Sequence, residues 1–368
     1  MTLRAFLELL VRDGEFDTVA LNNFAQFGAE GRPYLGTQFL PERNVAENMF
    51  REGAVRYRTV IANDGTRYSP VQHRAGGELS GSFAVELGSQ DIGRTFNSDD
   101  YDGVRKFLAT GANMEAAAKV IGWSDQMINI AMIETIEKQR WQAVVDSQVL
   151  RQGDNGYREV VNYVDPAGHR VAAGGNWSDP TYDPFDDIIT MKELLEDKGY
   201  EVTGTYCSTT VQHIMLRNPL VKNRVGATII TPTAVTTVNT VQYTQTTDAA
   251  LATAFAAVGV PAPSIYNKRY WTQSASFRFL TETVLVFVCS TGQDVEVRSN
   301  LDPDTVRFIP DTLGYAAVGI ATGQATPGRV IRLEAFENKP PRLEAEGWQM
   351  SLPVITEPEA LGVITTIQ

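Results

Sequence analysis

The chain has 368 residues, of which 43% are hydrophobic and 21% charged, and its formal net charge is −12. This length is enough for two or three compact units with sizeable cores. Because contacts to phosphate groups need clustered Lys and Arg, the acidic balance argues against a surface made to hold nucleic acid. A soluble bacterial protein with an ordinary acidic surface would have the same composition. The two cysteines, Cys207 and Cys289, form no CxxC pair, which favours buried free thiols over a zinc site or a disulfide framework.

The first fifty residues predict an arm. Residues 1–10 are apolar but include Glu8, so we expect a short amphipathic helix and not a signal peptide. No stretch reaches the ~18 consecutive apolar residues of a membrane span, and we expect a cytoplasmic protein without membrane contact. Residues 14–50 hold scattered aromatics with no sustained period. That is typical of an arm that buries its aromatics on other subunits, or of irregular structure packed on its own domain.

Residues 54–96 predict an extended β-arm. Two strand-like stretches, 54–61 and 82–87, flank a polar, Gly-rich span. An isolated two-stranded arm is marginally stable in water, so it would need a neighbouring subunit to lie on. The arm is basic, with Arg56, Arg58, Arg67 and Arg74, whereas the long helix that follows is acidic, with Glu134 and Glu137. We expect the arm to lie on the acidic helix of a neighbour, although a solvated arm would carry similar charges.

The strongest helix signal runs from about Asn113 to Arg151, with apolar residues at helical spacing. Ser124-Asp125 would allow a restart that divides this helix into two pieces, and we expect it to stop at Gly153-Asp154-Asn155-Gly156. A hairpin is predicted next. Its strands, 157–163 and 169–172, are joined by the turn sequence Asp165-Pro166-Ala167-Gly168.

Strands and helices then alternate, which predicts a mixed α/β domain. Asp183-Pro184 closes an extended connection, and Asp186 and Asp187 stand where a helix to Lys198-Gly199 would start. The three aspartates could be taken for an acid–base pair, but helix capping explains them better. A strand at 202–207, a helix capped by Ser208 or Thr209, an Ala-rich helix from Thr247-Asp248 and a strand at 283–288 follow. Stretches 330–336, 347–354 and 361–364 predict closing strands.

Motifs for catalysis and cofactors are missing from the sequence. Its three histidines, His73, His169 and His213, have no metal-ligand spacing to another His or to a set of carboxylates. GxSxG, P-loop and GxGxxG patterns do not occur after a strand. We therefore predict no catalytic residue, no cofactor and no metal. A soluble α/β enzyme with an unseen site is the least favoured alternative.

Two motifs and the order of elements carry a resemblance to a known family. The run Gly174-Gly175-Asn176-Trp177-Ser178, followed by Thr181-Tyr182-Asp183-Pro184-Phe185-Asp186-Asp187-Ile188, resembles the stretch before the axial domain in lambda-type capsid protein E of tailed bacteriophages. The ending from Met350 to Ala360 is also similar. The resemblance implies an α+β, Hong Kong 97-type capsid fold. Its parts would be an N-terminal arm (1–50), an extended β-arm or E-loop (51–98), a P-domain with spine helix and hairpin (99–184), a mixed α/β A-domain (185–325) and returning P-domain strands (326–368). The residues expected to form a structural junction between two domains are Trp177, Tyr182, Asp183, Pro184, Asp186 and Asp187.

The function that this resemblance implies is that of a major capsid protein. Such a protein assembles with itself, as hexamers and pentamers, into an icosahedral shell around double-stranded DNA without sequence-specific binding. It would be synthesised in the cytoplasm of the host bacterium and reside in the virion capsid. An encapsulin-type nanocompartment shell is the alternative within the same fold.

The resemblance also implies partners and a way of holding the shell together. A portal is expected, and some relatives in the family also bind a decoration protein on the outside of the shell. A separate scaffolding protein is expected too, because the short stretch before the β-arm leaves no room for a fused scaffold. Some relatives weld subunits through a lysine in this arm, but the first lysine here is Lys106, beyond the arm. Since arginine stays protonated and is no nucleophile, we expect a shell held by non-covalent contacts.

Overall fold

The computed structural model describes residues 34–45, 49–56, 78–96, 98–111, 113–153, 157–225, 248–272, 274–290, 295–299, 306–309, 313–336 and 342–367. The expected N-terminal helix and Arg58, Arg67 and Arg74 of the β-arm lie outside these residues. The described residues form two compact units. Unit 1 takes those within Met1–Arg51, Ala84–Arg140 and Tyr315–Val354, and unit 2 takes those within Glu52–Phe83, Trp141–Gly314 and Ile355–Gln368.

The helices are α1 (Gly36–Phe39), α2 (Ser98–Ala109), α3 (Asn113–Ser124), α4 (Ile130–Asp146), α5 (Pro184–Asp197), α6 (Thr209–Arg217), α7 (Pro219–Val225) and α8 (Asp248–Ala257). A π-helical turn (Asp125–Asn129) lies between α3 and α4, and a 3-10 turn (Pro358–Ala360) precedes the last strand. The strands are β1 (Glu42–Asn44), β2 (Met49–Arg56), β3 (Glu78–Glu86), β4 (Gly88–Thr95), β5 (Gln148–Gln152), β6 (Arg158–Asn162), β7 (Arg170–Asn176), β8 (Glu201–Cys207), β9 (Ser264–Ile265), β10 (Arg269–Trp271), β11 (Ser276–Arg278), β12 (Val284–Ser290), β13 (Val295–Ser299), β14 (Val306–Ile309), β15 (Gly314–Val318), β16 (Val330–Phe336), β17 (Arg342–Ile355) and β18 (Leu361–Ile367).

Unit 1 consists of helices packed on a sheet. The sheet has the order β1-β15-β17-β16, with β4 also paired to β17, and β1 runs parallel to β15. Along β17 buried and less buried residues alternate, as expected when one face of a sheet lies on a core. Ile128 of the π-helical turn and Met132 of α4 meet Ile331 and Ala345 of the sheet in one apolar cluster. The closing strands predicted at 330–336 and 347–354 are confirmed.

The helical stretch that carries this cluster ends earlier than the sequence indicated. The predicted restart at Ser124-Asp125 is the π-helical turn, in which Asn129 Nδ2 donates to Asp125 Oδ1 at 2.8 Å. The helix was expected to stop at Gly153 but ends at Asp146, because Ser147 takes a left-handed conformation with φ 54°. The following five residues form β5, where exposed and buried positions alternate.

The hairpin predicted across Asp165-Pro166-Ala167-Gly168 was wrong in its pairing. The turn exists, since His169 N donates to Pro166 O at 3.2 Å and Gly168 has φ 84°. However, β6 pairs antiparallel with β5, and β7 pairs parallel with β18. Because α4 ends at Asp146, β5 is the nearest antiparallel partner for β6 along the chain.

Unit 2 has a central mixed sheet with the order β7-β18-β12-β8-β9. Its middle strand β12 is buried almost throughout, which fits an unbroken apolar run with neighbours on both sides. Helix α5 lies against this sheet, and the helix predicted after Ser208 is α6, whose cap is Ser208 itself. The mixed α/β domain predicted for this part is confirmed.

The two strands expected to form the β-arm belong to a larger sheet. It has the order β14-β13-β2-β3, and β2 pairs antiparallel with β13 from Glu52↔Ser299 to Val55↔Glu296. The sequence 295–298 alternates Val with charged residues, the pattern of a strand with two unlike faces.

Within the described ranges, no helix is both long and apolar enough to cross a membrane.

Candidate functional site

Helix α5 begins at the family motif, and its cap is Asp183. The side chain of Asp183 accepts a hydrogen bond from Phe185 N at 3.0 Å, and Pro184 occupies the first helical position. Asp186 and Asp187, which we expected to start the helix, lie in its first turn. There their negative charges interact favourably with the positive end of the helix dipole. The cap itself, which accepts from a free N–H group of the first turn, is Asp183.

The carboxylate of Asp187 is the centre of the motif. Its Oδ1 accepts hydrogen bonds from Tyr182 Oη at 2.6 Å and from Gly174 N at 3.1 Å, and its Oδ2 accepts from Trp177 Nε1 at 2.7 Å. Trp177 is fully buried. Three donors compensate the partial burial of this charge, so the carboxylate ties the end of β7 to the start of α5.

Tyr182 is held in a fixed place by the same carboxylate and by two glycines. Burial raises the pKa of the Tyr182 hydroxyl, and the hydrogen bond it donates to Asp187 raises it further. A Cβ atom at Gly174 would lie 2.7 Å from Tyr182 Oη, and one at Gly175 would overlap the ring. The Gly-Gly pair is therefore required because the ring lies directly on the backbone.

Asn218 completes the junction, and sequence reasoning missed it. Its Nδ2 donates to the carbonyl oxygens of Tyr182 at 2.9 Å, Trp177 at 3.1 Å and Asp179 at 3.2 Å. Its Oδ1 accepts from Leu220 N at 2.9 Å at the start of α7. Spacing along the sequence does not indicate this role, because the three carbonyls come together only in the folded chain.

An arginine closes the outer side of the motif. Arg224 Nε donates to Asp183 Oδ2 at 2.7 Å, Arg224 Nη2 lies 3.6 Å from Asp186 Oδ1, and the guanidinium lies 5.4 Å from the Phe185 ring centre. Each of the three aspartates thus has structural partners, and all of these residues belong to unit 2. Across the part of the chain that the structure describes, no three His, Cys, Asp or Glu side chains are placed to hold a metal ion.

A second charged cluster lies in unit 1 and corrects one predicted interface residue. Glu137, expected on the helix surface facing a neighbour, is fully buried and accepts from Gly36 N at 3.0 Å and Arg140 Nη1 at 3.2 Å. Because its carboxylate is enclosed by its own unit, it cannot meet the arm of another subunit. Glu134 is half-buried and accepts from Tyr34 Oη at 3.4 Å; its interface role stays a prediction.

Glu42 links a second arginine, Arg329, to Arg140 of this cluster. One carboxylate oxygen lies 2.6 Å from Arg329 Nη2 and the other lies 3.6 Å from Arg140 Nη2. Arg329 Nε donates to Gln349 Oε1 at 3.0 Å. Both guanidinium groups are buried, so these carboxylates compensate charges that would otherwise be costly to hold in a core. The cluster therefore connects β1, α4 and β17.

The comparisons with known proteins agree with the motif. The chain matches the family described as "Phage major capsid protein E" over residues 56–300, about two thirds of its length. A prophage protein of E. coli CFT073, assigned as a capsid protein, is similar over 99% of both chains at 13% identity, with a TM-score of 0.56. None of the curated protein sequences matches the chain.

Two further solved structures have lower TM-scores. A phage-related protein from Bordetella bronchiseptica RB50 is 15% identical over 94% of this chain and 95% of its own, with a TM-score of 0.48. The procapsid of satellite phage P4 is 10% identical over 95% and 99%, with a TM-score of 0.45. The likeness to the prophage protein confirms the α+β, Hong Kong 97-type fold class. The chain belongs to the phage major capsid protein E family, and its role is structural, as a shell-forming protein of the virion capsid.

Proposed function

We propose that the chain builds the icosahedral head of a tailed bacteriophage, as hexamers and pentamers that enclose double-stranded DNA. The observation that carries this proposal is the family match over residues 56–300. A net charge of −12 fits a wall that contains DNA without binding its sequence, since repulsion keeps phosphate from adhering to the surface. Sequence-specific contacts to DNA are not part of the proposal.

The β-arm and the spine helix are proposed to meet between neighbouring subunits. Arg56 ends β2, and Arg58, Arg67 and Arg74 follow it along the chain. With Glu137 enclosed, Glu134 is the remaining acidic candidate on the helix for these arginines. The five segments 1–50, 51–98, 99–184, 185–325 and 326–368 are kept as the proposed domain organisation.

The junction residues are proposed to have a structural role and no catalytic one. Trp177, Tyr182, Asp183, Pro184, Asp186 and Asp187 fix how the strand before α5 enters that helix. The hydrogen bonds around Asp187 support this, because both carboxylate oxygens already accept from donors of the motif itself.

Partners outside the chain belong to the proposal as well. They are a separate scaffolding protein, a portal and a decoration protein, and the chain would be synthesised in the host cytoplasm. The resemblance to the family supports them. The absence of lysine before Lys106 supports a shell held by non-covalent contacts.

Sizing chromatography of the purified protein tests the proposal. A shell protein elutes as capsomers or as megadalton particles, whereas a soluble enzyme elutes as a small oligomer. Nuclease treatment before and after opening the particles then tells whether DNA lies inside. Particles boiled in denaturing detergent should give one subunit band; a ladder of multimers would contradict the non-covalent shell.

A further inference from the structure

A short hairpin in unit 2 exposes more aromatic surface than any other described element. The hairpin consists of β10, β11 and the residues between them, and we call it the Trp271 hairpin. Trp271 is 79% exposed and Phe277 is 49% exposed, and Ile265 nearby is 38% exposed. Single exposed apolar residues are common, but Trp is highly buried on average and is enriched where proteins bind one another, so a Trp this exposed indicates an interaction site.

This hairpin is held rigidly by stacked aromatic rings that lead into the core. Ring centres lie 5.8 Å apart for Phe277 and Tyr270, 5.1 Å for Tyr270 and Phe279, and 6.1 Å for Phe279 and Tyr266. Tyr266 in turn stacks on the fully buried Trp141 at 5.2 Å. Because the support is already fixed, little conformational freedom is lost when a partner covers the tip.

The pairing of the hairpin sends Trp271 to the face away from the stack. Trp271 lies opposite Ser276, and Arg269 lies opposite Arg278, whereas Tyr270 lies opposite Phe277 on the other face. One face therefore continues the core, and the other presents an indole next to a cross-strand pair of arginines. Trp and Arg are the side chains that most often carry binding energy in protein interfaces.

Charge identifies the kind of partner. Residues 264–280 contain Lys268, Arg269 and Arg278 and no acid, in a chain whose net charge is −12. Glu282 lies 2.6 Å from Arg278 and 4.0 Å from Arg269, and so compensates only part of this charge. Exposed acids occur elsewhere in unit 2, for example Glu193, Glu196 and Asp197 in the last turns of α5 and Glu201 at the start of β8. A basic aromatic tip and an acidic flank on one unit fit a head-to-tail contact between copies, the type that closes a ring.

From the exposed ring, the rigid support and the charge, we infer that the Trp271 hairpin docks on the acidic surface of unit 2 in a second copy of this chain. This rests on the proposed function, since the copies would be neighbours in one capsomer. Trp271 is then covered on assembly, and its indole is a main anchor of the contact.

Tryptophan fluorescence tests the inference on the full-length protein. The other four tryptophans, Trp123, Trp141, Trp177 and Trp348, are buried or half-buried, so acrylamide quenches Trp271 most strongly in free subunits. The difference between wild type and Trp271→Phe isolates its signal. We expect quenching of Trp271 to fall several-fold in assembled particles. Equal quenching in free subunits and in particles would overturn the inference, as would protection that appears only when another phage protein binds.

Assembly of variants is the second arm. Trp271→Ser should raise the protein concentration at which particles appear by more than about tenfold, whereas Trp271→Phe, which keeps an aromatic ring, should raise it less than about threefold. Both variants should unfold at the wild-type midpoint, because the side chain is exposed. If Trp271→Ser assembles like wild type, the inference fails and the proposed function stands. If wild-type protein forms no particle under any condition, both fail.

Discussion

Trp177 and Asp187 are joined by a hydrogen bond of 2.7 Å from the indole Nε1 to the carboxylate Oδ2, across the turn that leads from β7 into α5. Trp177 is fully buried, so its N–H has no access to water and depends on this one acceptor. Because of this bond, the carboxylate of a first-turn residue is a structural centre of the motif from Gly174 to Ile188.

Asp187→Ala should lower the free energy of unfolding of the free subunit by about 2–4 kcal/mol. The substitution removes three hydrogen bonds and leaves the buried indole N–H without its acceptor. Asp186→Ala is the matched control, since that side chain is 68% exposed and should cost less than about 1 kcal/mol. Urea unfolding measures both values. Equal losses in the two variants would contradict the central role of Asp187.

Gly175→Ala should destabilise the subunit by about 1–3 kcal/mol, because the new Cβ overlaps the Tyr182 ring and forces a shift. Gly122→Ala is the control. That glycine is exposed in α3 with open space around it, so alanine there should be neutral or stabilise by up to about 1 kcal/mol. Thermal unfolding of both variants separates steric overlap from a general effect of replacing glycine. A neutral Gly175→Ala would show that the ring is not fixed against the backbone.

Glu137→Ala should cost about 3–5 kcal/mol, because it leaves the buried guanidinium of Arg140 without its nearest carboxylate. Glu134→Ala, one turn earlier and half-buried, should cost less than about 1 kcal/mol. Replacing both buried partners, Glu137→Leu with Arg140→Met, should cost less than the sum of the single changes. Denaturant unfolding of free subunits provides the values. The contradicting outcome is a Glu137→Ala subunit that is as stable as wild type but does not assemble. That result would support the predicted role of Glu137 in the subunit interface.

The sequence alone predicted a helix boundary correctly where a single residue marks that boundary, and wrongly where no residue does. The end of α5 was found because Gly199, at φ 83°, marks the helix end by itself, and the start of α6 because Ser208 caps it by itself. The early end of α4 was missed, since Ser147 is a non-glycine residue in a left-handed conformation and carries no such signal. Once that end was misplaced, β5 was taken for helix and β6 was assigned the wrong partner.

The same distinction holds for the candidate sites: consecutive residues were recognised, whereas contacts between residues far apart in the sequence were not. The motif around Tyr182 and Asp187 was recognisable as a run of residues, but the hydrogen bonds that give Asp187 its role could not be inferred from spacing. Glu137 was read as a surface residue because charged residues on a helix usually are. Its carboxylate lies against Gly36, which comes from a distant part of the chain, and no local pattern indicates that contact.

The free energy of unfolding should decrease as the pH rises above about 8.5, and the two buried cysteines should cause part of this decrease. Burial raises the pKa of the Cys207 thiol and of the Cys289 thiol to about 12 each. An unfolded thiol titrates near about 8.5, so the stabilisation is complete below that pH and is lost as pH rises toward the folded value. Each thiol should contribute a decrease of about 1 kcal/mol per pH unit in between. Urea unfolding from pH 8 to 11 should show a shallower decrease for Cys207→Ala with Cys289→Ala. An identical slope in that variant would contradict the assigned cause.

Reversal of the arm charges should block assembly and leave the subunit folded. We expect this of the variant in which Arg56, Arg58, Arg67 and Arg74 are all replaced by Glu. One exposed ion pair contributes only ~0–1 kcal/mol, but the contact is repeated in every subunit of a shell. The control replaces the same four residues by Lys and keeps the charge. Light scattering should then show particles for the Lys variant and none for the Glu variant. Normal particles from the Glu variant would show that the four arginines are not needed for assembly.

Imaging of negatively stained particles of the purified protein tests the central claim most directly. The account predicts closed shells of uniform size whose averaged images contain capsomers with fivefold and sixfold symmetry. Protein that stays as single subunits or small oligomers under every assembly condition, or that forms only open sheets and tubes, would contradict it.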